Sequence, residues 1–214
     1  MPLHQVGPGG WVTIRPAWAG ETAWVLGGGA SLADAPLARL AGRRCIAVTR
    51  SFAAAPWADV IHAGDGQWWR WHGAETRAHS ARLRTTVAAA ARPDDMAAIA
   101  DAGAIVLGYG GKLGLALAPD RLCGRNSGHQ AANLAAHLVG PAGTVALVGF
   151  DGRPGWWHAG YPDWRGDHKA ALERMVPGFQ SLAAAAARNG PRIVNCTPGS
   201  ALTMFPAARI EDLL

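Results

Sequence analysis

At 214 residues and a formal net charge of +5, the chain is long enough for one domain with a substantial core. Half of its residues are apolar, which excludes a disordered chain, yet no apolar run approaches the roughly 18 residues needed to cross a bilayer. The opening MPLHQVGPGG lacks the charged-then-apolar pattern of a secretory signal, so a cytoplasmic location is expected, with reduced structural thiols at Cys45, Cys123 and Cys196.

Residues 1–20 are rich in Gly and Pro and read as an irregular lead-in. Thr22 to Leu26 is predicted to be a strand, followed at once by Gly27-Gly28-Gly29-Ala30-Ser31-Leu32 and a helix over Pro36 to Leu40. A strand running into glycines brings backbone amides close to a phosphate, although the loop is neither a Walker A sequence nor GxGxxG in register. Cys45 to Thr49 is a second strand, ending in Arg50-Ser51-Phe52. Val60 to Ala63 is a third; Asp59 precedes it and Asp65 follows, so only Asp65 belongs to the carboxyl-end face of a sheet. A helix carrying Gln67 to Trp71 comes next, then an Ala/Arg-rich region read as helix with a short strand near Thr85 to Val87. Ala104 to Leu107 is another buried strand, and 108–125 is a long loop able to bring Lys112, Arg121 and Arg125 to a site.

The most informative stretch runs from Asn126 to Gly152. Asn126 and Ser127 are good N-caps, because their side-chain oxygens can accept the free amide protons of a first helical turn. Ala131, Leu134, Ala135 and Leu138 recur at one buried helical face, with Gln130, Asn133 and His137 on another. Gly140-Pro141 ends the helix, and Thr144 to Val148 is an interior strand leading to Gly149-Phe150-Asp151-Gly152. Residues 153–168 form a Gly/Pro-rich loop holding Trp156, Trp157 and Trp164, a composition suited to a lid or stacking platform. By contrast Trp68, Trp69 and Trp71 read as core packing. Lys169 to Arg188 is a helix, Arg192 to Val194 a last strand, and Asn195 to Ser200 a polar turn.

Strands and helices alternate at least five times, which predicts an α/β, Rossmann-like domain: a mostly parallel sheet with helices on both faces. Polar and glycine residues follow almost every strand, and in such sheets ligands bind beyond the carboxyl ends. A nucleotide or other phosphorylated ligand is therefore the leading expectation. The positive charge agrees in sign, carried almost wholly by arginine beside Lys112 and Lys169.

Six segments carry a resemblance: GGGASL at 27–32, PWADVIHAGD at 56–65, NSGHQAANLAAHLVG at 126–140, LVGFD at 147–151, GDHK at 166–169 and NCTPGSALTMFP at 195–206. They resemble a set of bacteriophage and prophage proteins with GGGPSL, NSGxQAxNLA, LLGFD and GDH motifs, over most of residues 22–214. More remotely, the order of motifs is similar to small bacterial sialyltransferases that use CMP-sialic acid, and to archaeal 6-hydroxymethylpterin pyrophosphokinase-like proteins. The resemblance implies nucleotide contacts at Gly27, Gly28, Gly29, Ser31, Asn126, Ser127 and Gly128. It implies Asp151 beside them and His168 as the base that takes a proton from an acceptor hydroxyl. Arg50, Asp65, Arg153, Trp156, Trp157 and Arg165 are the candidate substrate contacts, with Arg153 or Arg165 to neutralise a leaving phosphate.

Three functions follow as expectations. The first is a nucleotide-sugar-dependent glycosyltransferase whose acceptor is a phage component, modified DNA included. The second is a pyrophosphokinase-like enzyme, which would need Mg²⁺ on carboxylates such as Asp65 and Asp151, without a DxD motif. The third is a nucleotide-binding phage module without catalysis.

Overall fold

The computed structural model describes residues 1–87, 91–160 and 168–214, and for His168 and Lys169 the backbone alone. Two short strands, β1 (His4–Val6) and β2 (Val12–Ile14), pair antiparallel in the lead-in. The main strands are β3 (Thr22–Leu26), β4 (Arg44–Val48), β5 (Val60–His62), β6 (Leu83–Thr86) and β7 (Ile105–Val106). A parallel ribbon of β8 (Gly108–Gly111) and β9 (Arg121–Cys123) follows, and then β10 (Thr144–Val148) and β11 (Arg192–Asn195). Among the described residues four α-helices lie between them: α1 (Gly66–Arg77), α2 (Pro93–Asp101), α3 (Ser127–Val139) and α4 (His168–Asn189).

Seven strands form one parallel sheet in the order β11-β10-β3-β4-β5-β6-β7. From β3 the chain steps outward to β7, then returns to lay β10 on the other side of β3. That reversal is a topological switch point, and it parts the loops above β3 and β10. Alternate residues of the central strands feed two cores. Val25, Ile46 and Val60 pack with α3 and α4, whereas Trp24, Ala47 and Ile61 pack with Trp69 of α1 and Ile99 of α2. Helices therefore cover both faces, as the alternation predicts.

Two expectations need correction. The helix expected over Pro36 to Leu40 is instead a pair of short 3₁₀ turns, Ala30–Asp34 and Leu37–Leu40. Proline between them donates no amide, so neither half reaches the length at which an α-helix nucleates. The long loop at 108–125 contains the β8–β9 ribbon, which the polar face of α3 holds down. Asn133, fully buried, accepts from the amides of Ala116 (2.8 Å) and Cys123 (3.3 Å) and donates to the Gly114 carbonyl (3.3 Å). His129 and His137 bond the carbonyls of Gly114 and Arg121. All three cysteines are free and buried; burial raises each thiol pKa, that of Cys196 to about 11.

Candidate functional site

A cleft of about 890 Å³ opens at the carboxyl ends of the strands. Its floor is the switch point. The loop after β3 and the loop after β10 are stitched together there, because Gly27 donates to the Val148 carbonyl (2.7 Å) and Gly29 to the Gly149 carbonyl (2.9 Å). Ser31 adds its amide (3.2 Å) and hydroxyl (2.9 Å), donating to the two carboxylate oxygens of Asp151. The amides of Gly27, Gly29 and Ser31 are thus spent on the protein itself.

The three glycines consequently differ. A Cβ on Gly27 would lie 2.5 Å from the Gly149 oxygen, and one on Gly29 would lie 1.8 Å from Asp151 Oδ2. Both positions need glycine for close backbone approach. A Cβ on Gly28 would meet nothing within 4 Å among the described residues, and all three glycines line the cleft. No contact among the described residues requires glycine at that position.

Beside this loop, Asn126 caps α3 by accepting from the His129 amide (2.9 Å), while its buried Nδ2 has no partner among the described residues. Ser127 accepts from the Gly64 amide (3.0 Å), leaving its own hydroxyl proton to give. Both residues line the cleft with Gly128 and Asp65, whose carboxylate caps α1 through the Gln67 amide (2.9 Å). Thr49, at the end of β4, also lines it with φ of +51°, the one non-glycine positive φ among the described residues. For a β-branched residue this conformation is strained, and such strain gathers at ligand sites.

Lys112, Arg125 and Arg153 stand exposed on the cleft wall and form no ion pair among the described residues. Two expected contacts fall elsewhere. Arg50 bonds Glu75 (2.5 Å) and His72 (3.1 Å) and does not line the cleft, while Arg121 pairs with Asp120 (2.9 Å). Of the two loop tryptophans, Trp156 lines the cleft and stacks on His158 at 5.6 Å. Trp157 instead backs onto the α1/α2 core, its amide donating to the Gly28 carbonyl (3.4 Å). Arg165, Trp164 and Gly166-Asp167 lie outside the described residues, as does the side chain of His168. Among the described residues no group of three or more His, Cys, Asp or Glu gathers to hold a metal ion.

Several cleft residues were not among the candidates read from sequence. Trp68 and Trp71 come from α1, Gln130 from α3, and Leu172, Met175, Val176 and Phe179 from α4. The last four recur at i, i+3, i+4 and i+7, a spacing that marks an apolar helical face and could have identified them.

Gln130 joins the cleft to the core. Its Nε2 donates to the Gly124 carbonyl (3.0 Å), so its oxygen must accept from His62 Nε2 (3.2 Å); His62 Nδ1 then accepts from the Thr85 hydroxyl (2.9 Å). Burial stabilises the neutral ring, lowering its pKa from 6.5 to about 4, against the opposing effect of the hydrogen bond it donates to Gln130. Between these values the unfolded chain binds the extra proton. Stability is therefore full above about pH 6.5 and falls as pH drops towards 4, by about 3 kcal/mol in all. Urea denaturation at pH 7 and pH 4.5 checks this, and His62→Asn is expected to flatten the loss.

Comparison with protein-family models, with curated proteins and with solved structures finds no match to this chain.

Proposed function

We propose that the cleft binds a nucleotide sugar and that the chain transfers its glycosyl group to a hydroxyl acceptor. The observation that carries the binding half is the meeting, at one switch point, of an unobstructed Gly28 with three cations that form no ion pair among the described residues. Gly28 admits a ligand close to backbone, Asn126 and Ser127 offer donors for ribose or base, and Lys112, Arg125 and Arg153 offset phosphate charge. The volume lies at the upper end of the roughly 300–1,000 Å³ usual for ligand pockets, room enough for donor and acceptor together.

The transfer half rests on the sequence resemblance. As the acceptor oxygen bonds the anomeric carbon, the bond from that carbon to the phosphate oxygen breaks. His168 takes the hydroxyl proton, and the phosphate leaves as an anion beside arginine. Asp151, bound at both oxygens by Ser31, holds the glycine loop in place for this step.

A thermal-shift panel of nucleotides and nucleotide sugars, with and without Mg²⁺, tests the binding. A true ligand at 100 times its dissociation constant adds about 2.7 kcal/mol of stability. No shift with any member overturns the reading, and binding that requires Mg²⁺ favours the pyrophosphokinase-like alternative.

A further inference from the structure

The apolar stripe on α4 has no counterpart in a purely polar nucleotide site. Phe179 is buried, stacked on His129 at 5.8 Å and edge-on to Phe150 at 6.0 Å, which anchors the stripe beside the start of α3. Val176, Met175 and Leu172 follow in the direction of the helix N-terminus and are only half-buried, because the cleft lies against them. Seven residues of α-helix extend about 10 Å, which is the length of the stripe from Phe179 to Leu172. The charged neighbours Glu173 and Arg174 are exposed and do not line the cleft. Water against such a wall is displaced favourably by an apolar group and unfavourably by a charged one.

We infer that the second reactant held in this cleft carries an alkyl or aryl group, seated on Leu172, Met175 and Val176 while the cationic wall holds the anionic partner. This deepens the transferase reading and rests on it for the word acceptor; the apolar subsite itself stands on the α4 geometry alone. Along the helix, the backbone of His168 lies four positions before Leu172. A nucleic-acid strand would instead set charged phosphates against this wall.

The probe is 1-anilinonaphthalene-8-sulfonate, an aryl anion that matches both walls. Wild-type protein is expected to bind one molecule with blue-shifted emission. Met175→Glu and the nearly isosteric Val176→Thr are expected to weaken it at least tenfold and about threefold, respectively. Leu117→Glu, on a side chain 81% exposed outside the cleft, serves as control and is expected to change nothing. Retained dye affinity in both α4 variants, or equal loss in the control, overturns the subsite. Nucleotide affinity measured on Met175→Glu separates the two readings. If it is unchanged, the stripe serves the second reactant; if it falls in parallel, the stripe holds the nucleobase and the acceptor assignment is overturned. Dye loss without any nucleotide binding by the parent chain removes the transferase reading and leaves the apolar subsite. Tighter binding of a dT₁₀ oligonucleotide than of the dye, weakened by the same variants, overturns the small-molecule class.

Discussion

Gly28→Val is expected to melt at the temperature of the parent chain and to lose nucleotide affinity by at least about a hundredfold, or about 2.7 kcal/mol. Gly29→Val is expected to lose fold and binding together. The two positions are adjacent, and their difference lies in what surrounds them. At Gly28 a new side chain enters open cleft, displacing only ligand. At Gly29 it would meet the Asp151 carboxylate and the Gly149 carbonyl, forcing apart the amide bonds that join the β3 and β10 loops. Overpacking of that kind costs about 1–3 kcal/mol or more, and here it also breaks the Ser31–Asp151 pair. Calorimetry and thermal melting on the two variants provide the check. A folded Gly28→Val that binds nucleotide as the parent does would remove the glycine loop from the site.

His168→Ala is expected to bind nucleotide nearly as the parent does and to turn over donor about 10²–10⁴-fold more slowly, the usual range for lost acid–base help. The backbone of α4 begins at His168, three and four positions before Ala171 and Leu172, both of which line the cleft. Both constants must be measured, since a fall in affinity alone makes His168 a ligand contact. Turnover within threefold of the parent sinks the base assignment.

Much of this architecture is legible in the residues. Thr22 to Leu26, Thr144 to Val148 and Asn126 to Gly140 carry strand or helix patterns that the structure reproduces to within a residue or two. Asn126 caps its helix by the oxygen chemistry its type implies. The failures have a common cause. Gly108 to Gly111 has no strand propensity, and it pairs with β9 only because Asn133, His129 and His137 hold the intervening chain. Arg50 follows a strand and looked available, but Glu75 lies close enough to take its charge. Gln130 and Asn133 fall on a helical face apart from the apolar one, and periodicity gives no sign that both are buried in bonds to the folded-over loop.

Local periodicity and turn chemistry act over a few residues, so the sequence alone determines the alternation of strands and helices, the glycine turns after them and the resulting α/β class. Which strands become neighbours is decided elsewhere. β10 lies beside β3 because its two faces complete both cores, and that placement creates the switch point. The bond from Ser31 to Asp151 spans 120 positions, and no pattern within either loop announces it. Only the tertiary structure therefore separates Gly28, where a side chain would enter the cleft, from Gly27 and Gly29, where it would meet the protein. It alone turns the apolar stripe of α4 towards that cleft, since burial depends on what lies opposite a side chain as well as on its own hydrophobicity.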